Sequence, residues 1–286
     1  MIIDIHAHPG FLREISGNVE RVAFRRKHFG LYKQSIWPLE LCLRQLDAAG
    51  IDKAVLLPED LTTRCGDTVV SNEEIRQLVD CHPDRFIGFA SVDPWREEAL
   101  DVLEHAFANL KLAGLKLNPA SQRFFPNDAR LQPIYEVCVQ YNKPILFHSG
   151  MSWEPLAPAK YAQPLLFEDV ALANPGLRFA LAHFGWPWVQ EVAMLVLKYP
   201  NVYADTALLY FDSPKEFFAY IFGSQLGSHW IDRSLSDKVM FGSNYPRIEQ
   251  LRMRTAVESL DLRPATLAKI LGGNAMSFLG IEEPAQ

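Results

Sequence analysis

Met1-Ile2-Ile3-Asp4-Ile5-His6-Ala7-His8 opens the chain and separates two α/β architectures. The isoleucines make the run strand-like. A doubly wound open sheet would be expected to follow its first strand with a glycine-rich phosphate turn, and His-Ala-His stands there instead. Side chains on a strand alternate between faces, so His6 and His8 point the same way, about 7 Å apart. Two imidazoles converging from one strand end are half of a divalent-metal site. The plainer reading is two ordinary polar residues at a strand end.

Beyond this run, short apolar segments alternate with helical ones to the end of the chain. Strands are expected at 2–6, 54–57, 86–91, 114–117, 144–148, 178–183, 201–205 and 238–242. Amphipathic stretches follow at 38–49, 72–82, 96–110, 128–141, 165–174, 187–199 and 214–222, and the last helices at 247–260 and 264–279. Ser71-Asn72-Glu73-Glu74 carries a cap and acids at a helix start, and Asn174-Pro175-Gly176 ends a helix. Eight strand–helix units in 286 residues match a (β/α)8 barrel in count and length. With no linker, low-complexity tract or repeat, one domain over 1–286 is expected.

Composition narrows the function classes. Hydrophobic residues make up 49% and charged residues 22%, as in an ordinary globular protein. A net charge of −6 argues against nucleic acid or an anionic membrane as partner. No run approaches the roughly 20 apolar residues that span a bilayer. No signal-peptide pattern precedes the first strand. Cys42, Cys65, Cys81 and Cys138 lack C-x-x-C spacing and read as reduced, mostly buried thiols. A cytoplasmic protein is expected.

In such barrels chemistry sits at the C-terminal strand ends. The polar residues expected there are His6 and His8, Glu59 and Asp60, Asp93, Lys116 and Asn118, His148, His183, Asp205 and Asn244. Four of the eight histidines fall at these ends, which scatter rarely produces. His28, His82, His105 and His229 read as surface or structural residues.

Taken in order, Asp4-Ile-His-Ala-His8, Gly50-Ile-Asp-Lys-Ala-Val55, Pro83-Asp-Arg-Phe-Ile-Gly-Phe89, Gly114-Leu-Lys-Leu117, Pro144-Ile-Leu-Phe-His-Ser-Gly150, Ala182-His-Phe-Gly185, Asn201-Val-Tyr-Ala-Asp205 and Phe241-Gly-Ser-Asn-Tyr-Pro246 cover essentially the whole chain. Together these motifs resemble the amidohydrolase superfamily. They are closest to the amidohydrolase-related branch containing the aminocarboxymuconate-semialdehyde and resorcylate-type decarboxylases. The resemblance implies His6, His8 and His148 as ligands of one divalent metal, zinc in the first instance and manganese in the second. It implies His183 as the group that polarises or protonates substrate. The eighth-strand position is normally an Asp that binds metal and takes a proton from water; here it is Asn244. A homodimer is the assembly the superfamily suggests.

An Asn oxygen can coordinate, but the side chain carries no charge and is no base. Three neutral imidazoles and an amide leave the full +2 on a metal, as in tri-histidine sites that bring bound water to a pKa of about 7. A lost anionic ligand also weakens metal affinity, about tenfold or more by analogy with outer ligands. Any proton acceptor would be His183, Asp205 or Glu154. Asn244 then reads in three ways: a natural variant for chemistry without an eighth-strand base, a degenerate binding barrel, or an engineered substitution.

Alternation turns Lys116 and Asn118 into the barrel. Lys116 is read as a cation for a substrate carboxylate or the partner of a nearby acid, in preference to a carboxylated bridge between two metals. Arg247, Arg123 and Arg64 lie in loops after the strands and are each candidates to clamp a carboxylate or to be solvated surface charges. Residues 9–37 form an unusually long connection, rich in Arg, Lys, Phe, Tyr and Trp. It reads equally as a lid or as a surface helix with a solvated cationic face. Trp153, Trp186 and Trp188 suggest an aromatic wall, or in the last two cases a rigid helix start. The expected function is a metal-dependent hydrolase, or a related non-oxidative decarboxylase, acting on a small carboxylated substrate. Trp153, Lys116 and Arg247 are the substrate-binding candidates. A metal-free lactonase and a catalytically silent binding barrel are the alternatives.

Overall fold

A computed structural model of the chain describes residues 1–207, 210, 212–227 and 229–281. The first strand, β1 (Ile3–Ala7), pairs in parallel with β2 (Lys53–Leu56), which continues into the short β3 (Glu59–Asp60). A three-residue β4 (Thr68–Val70) folds back antiparallel on β3, and β5 (Phe86–Gly88) pairs with β2. Five more parallel strands follow: β6 (Leu115–Leu117), β7 (Ile145–Phe147), β8 (Phe179–Leu181), β9 (Val202–Asp205) and β10 (Val239–Met240).

Two sheet arcs close into one barrel through backbone hydrogen bonds at both seams. Lys116 N donates to Ala90 O at 2.7 Å, and Ile5 N donates to Phe241 O at 3.0 Å. The fold is a TIM barrel, as expected from the eight strand–helix units. The strands are shorter than their apolar runs because closure leaves only the central residues in regular pairing. The hairpin of β3 and β4 was not anticipated; its residues are too few to show a periodicity.

Alternation gives the outer face of the strands to the helices and the inner face to the barrel. Leu115, Leu117, Ile145, Phe147, Phe179 and Leu181 pack in the outer layer. Ile3, Ile5, Val55, Leu146, Tyr203 and Met240 fill the interior with the C-terminal helix Asn274–Leu279. The turn Lys269–Gly273 that leads into it lies against the start of β1, where a Cβ at Gly272 would collide with the Met1 carbonyl.

Simple alternation fails at one place that matters. Asp4 pairs with Ala54 but Ala7 pairs with Leu56, so β1 carries one extra residue between them. This bulge lets Ile5 and then His6 turn inward, while Ala7 joins the outer layer.

Most helices fall where the periodicity placed them, with frayed ends trimmed. The helix Asn72–Cys81 begins with a full capping box between Ser71 and Glu74. The 264–279 stretch is divided, because helix Pro264–Ala268 passes through a wider turn before Asn274–Leu279. The long connection after β1 holds a helix, α1 (Val19–Phe29), capped by Asn18 and ended by left-handed Gly30. Cys42 and Cys138 are buried, whereas Cys65 and Cys81 are exposed, so the thiols are not mostly buried; all four are free. Among the described residues no helix is long and apolar enough to cross a membrane.

Candidate active site

Four imidazoles converge at the C-terminal mouth of the barrel. His6 and His8 come from the end of β1, with their Nε2 atoms 3.1 Å apart. His148 follows β7 and His183 follows β8, and His148 Nδ1 lies 3.1 Å from His183 Nε2. Ring centroids step from His8 to His6 to His183 to His148 at 5.0, 4.9 and 4.8 Å.

Two of these rings have their tautomer fixed from behind. His6 Nδ1 donates to Asp205 Oδ2 at 2.8 Å, and His183 Nδ1 donates to the Ala207 carbonyl. Each therefore turns a bare Nε2 lone pair toward the cluster. Burial holds all four imidazoles below their ordinary range, with the charges of Lys116 and neighbouring histidines adding to the effect; His148 is pushed down to about 3. Neutral imidazoles with lone pairs aimed at one another suit a cation between them. Metal–nitrogen bonds of 2.0–2.1 Å at tetrahedral angles separate the nitrogens by about 3.3 Å. The donor set thus fits a divalent ion.

The local chain is bent to make this arrangement. His183, Phe184 and Gly185 all have positive φ, at 60°, 46° and 58°, a turn that swings His183 inward. Non-glycine residues persist in that region only where surroundings over-determine them. Asp205 does so here, accepting from His183 N at 2.7 Å and Ala207 N at 3.0 Å. His6, His183 and Asp205 form the tightest group of metal-capable side chains among the described residues. Yet both Asp205 oxygens already accept hydrogen bonds, so Asp205 backs the imidazoles and is not placed to take a proton from the pocket.

Asn244 also has a positive φ, 61°, which Asn tolerates better than most residues. Its N–H donates to His6 O at 2.8 Å, tying the eighth strand end to the first. Its side-chain Nδ2 is buried without a hydrogen-bond partner. Asp4 completes this seam: it accepts from Ser243 Oγ at 2.6 Å and Gln250 Nε2 at 3.0 Å, while burial raises its pKa to about 6.

The candidate cations separate into two groups. Lys116 lines the pocket, is 2% exposed, and its Nζ has no hydrogen-bond partner. Burial lowers its pKa to about 8 against the pull of Asp205 and Glu59, so the acid-partner reading of Lys116 fails as a hydrogen bond. Arg247 lines the mouth, donates to Phe29 O and lies 5.6 Å from the Trp153 ring. Arg64 is paired with Glu154, which also accepts from Ser121 Oγ at 2.8 Å. Arg123 reaches the Leu156 carbonyl. Arg64 and Arg123 are therefore not pocket clamps, and Glu154 is not a free base.

His28 corrects the expectation of a surface or structural residue. It sits on α1 over the pocket, its side chain 6% exposed, and its Nε2 lies 2.9 Å from Glu59 Oε2. Glu59 Oε1 accepts from Asn118 Nδ2 at 2.8 Å. Burial works against both charges, but their proximity outweighs it: Glu59 is held at about 2 and His28 is raised. Nothing in the spacing links positions 28 and 59; the only signal was the density of basic and aromatic residues in the long connection. That segment is both a roof and a structural helix. Phe29 packs on His8 at 5.1 Å, while Arg25 on the same helix is fully buried. Trp186 stacks on Tyr210 at 4.8 Å, and Trp153 stands at the mouth 5.8 Å from the same ring.

Comparison with known proteins gives a family and a fold. The amidohydrolase family profile matches residues 3–281. A 2-amino-3-carboxymuconate-6-semialdehyde decarboxylase from Dictyostelium discoideum is 24% identical over 247 residues, 74% of this chain and 66% of that protein. The chain thus spans just under two thirds of that relative's length. An uncharacterised TIM-barrel protein from Bordetella bronchiseptica superposes with a TM-score of 0.77 at 24% identity, covering 98% of both chains. A dihydroxybenzoic acid decarboxylase from a Polaromonas species, with bound manganese and the inhibitor 2-nitroresorcinol, gives a TM-score of 0.66 at 17% identity. It covers 98% of this chain and 96% of its own.

Proposed function

The chain belongs to the amidohydrolase family, and from that premise we propose that it is a metal-dependent enzyme that decarboxylates a small carboxylated substrate. The observation that carries this reading is the commitment of every carboxylate around the four imidazoles. Asp205 is occupied by His6 and two backbone amides, Glu154 by Arg64, and Glu59 by His28 and Asn118. With Asn244 at the eighth strand end, no carboxylate among the described residues around the imidazoles is left free to activate water. Loss of carbon dioxide needs no such base. The relatives described as decarboxylases support the same choice.

In this proposal His6, His8 and His148 hold the ion, and His183 stands beside them. Zinc and manganese both suit imidazole donors, and manganese is the metal bound in the Polaromonas relative. A divalent ion there supplies Lewis acidity toward a substrate oxygen. The protein's own groups do the rest. Lys116 and Arg247 supply positive charge at the floor and mouth. Trp153 and Phe29 shield the pocket from water. His183 presents Nε2 to the reacting region, where it exchanges a proton with the substrate. As the carbon–carbon bond breaks, its electron pair stays on the substrate carbon, and a proton originating from solvent takes the place of the carboxyl group.

Hydrolysis is the second reading, because His183 Nε2 is an unprotonated nitrogen that could accept a proton from water. Purified protein loaded with manganese or zinc and given dihydroxybenzoates or carboxymuconate semialdehydes distinguishes the two. Carbon dioxide release that disappears on chelation is the expected result. Hydrolysis of lactones that survives chelation would establish the metal-free lactonase, and ligand binding without turnover the silent barrel.

A further inference from the structure

Among the described residues three side-chain atoms of the pocket lining are buried without a hydrogen-bond partner: His148 Nε2, which belongs to the imidazole cluster, and two N–H donors outside it. Lys116 Nζ and Asn244 Nδ2 both lie within the protein, both belong to residues lining the same cavity, and neither has a hydrogen-bond partner. Leaving an ammonium buried without a partner is among the more costly things a fold can do. Glu59 and Asp205 are close enough to influence Lys116 electrostatically, yet both spend their oxygens on other donors. The lysine is therefore held ready by the barrel and left unsatisfied by it.

Position 244 complements this. An ionised Asp is an acceptor only, whereas an Asn amide adds two N–H donors. The chain thus presents an ammonium and an amide donor at the pocket, where an Asp would have set a negative charge. Donors of this kind, with no acceptor among the described residues, call for oxygens carrying negative charge.

We propose that Lys116 and Asn244 form a carboxylate cradle, in which one substrate carboxylate accepts from Lys116 Nζ and from the Asn244 amide. The inference rests on the reading of the substrate as a small carboxylate. It also refines that reading. A cation gripping a departing carboxylate binds the ground state more tightly than the transition state and slows its loss. The cradled carboxylate is accordingly one that the product keeps, so the substrate carries a carboxylate besides the group that leaves. Asn244 then serves the substrate directly, which accounts for an amide where a water-activating acid would otherwise stand.

The test measures binding, so it does not depend on turnover. Benzoate, as a carboxylate of the size of a retained product, and phenol, lacking the carboxylate, are titrated calorimetrically into manganese-loaded protein. Inorganic phosphate is the third probe. Wild-type protein is expected to bind benzoate in preference to phenol and phosphate. Lys116→Met and Asn244→Asp should each weaken benzoate at least tenfold and leave phenol unchanged. Manganese titration of the same variants separates the alternatives, because Asn244→Asp should hold manganese at least as tightly as wild type while losing benzoate. Lys116→Gln and melting curves guard against a variant that has merely unfolded. Unchanged or tighter benzoate binding in Asn244→Asp overturns the cradle and makes position 244 a plain metal ligand. Equal binding by Lys116→Met, stronger binding of phosphate, or no benzoate binding by wild type overturns it too. If benzoate binds as expected but no carboxylate is turned over, the cradle stands and the decarboxylase reading falls.

Discussion

His6 and Asp205 are 199 residues apart in sequence, and their side chains meet at 2.8 Å in the floor of the site. The contact fixes which nitrogen of His6 carries hydrogen, and so which one faces the other imidazoles. Partners of this kind orient metal-binding histidines and raise their basicity.

Asp205→Asn should therefore weaken divalent-metal binding by about 10- to 100-fold while the barrel stays folded. An amide at 205 can present its N–H to His6 and select the wrong tautomer. Competition against a chromophoric chelator measures the loss. Wild-type affinity in this variant would mean that the tautomer is set by something else.

The His28–Glu59 pair gives stability a defined pH dependence. Glu59 sits at about 2 when folded, so its contribution is complete above the ordinary carboxylate range and is lost as pH falls toward 2. His28 is raised, so its contribution is complete below the ordinary imidazole range and is lost as pH climbs through the folded value. The pair contributes most between roughly pH 4.5 and 6.5. Glu59→Gln is expected to cost about 3 kcal/mol in that window, because it leaves His28 buried beside a neutral group. Denaturant melts at several pH values check this, and a pH-independent difference would contradict it.

Arg25 anchors the roof. Its guanidinium is fully buried, donates to the carbonyls of Val69, Gly10 and Ile15, and meets both Glu74 oxygens at 2.8 and 2.9 Å. Arg25→Met should cost about 3 kcal/mol, since it strands several acceptors at once. Faster amide exchange across 19–29, with the barrel strands still protected, is the expected signature.

Gly150 marks a close approach between two loops. Its φ is +82°, and a Cβ there would collide with the Trp186 carbonyl. Gly150→Ala should cost about 2 kcal/mol or more through left-handed strain and displacement of backbone. Because position 150 lies two residues past His148, metal affinity should fall along with thermal stability. Wild-type metal binding in a destabilised variant would confine the effect to the loop.

The sequence alone determined the architecture, because eight apolar runs alternating with amphipathic stretches bury their surface well in only a few ways. It also placed His6, His8, His148, His183 and Asn244 at strand ends, since period-two alternation is a local property. What lay beyond it were relations between distant segments. The bulge in β1 depends on the pairing register with β2, which no single strand encodes. Asp205 was legible as a strand-end acid, but not as the partner of His6. His28 was invisible as a pocket residue because only the folding of α1 over the mouth brings it to Glu59. Whether Lys116 had a partner was likewise settled by tertiary structure: Asp205 and Glu59 are near enough to attract it, yet their oxygens are taken by other donors. Strand positions follow from local chemistry, whereas the pairing of charges across a barrel mouth follows from closure.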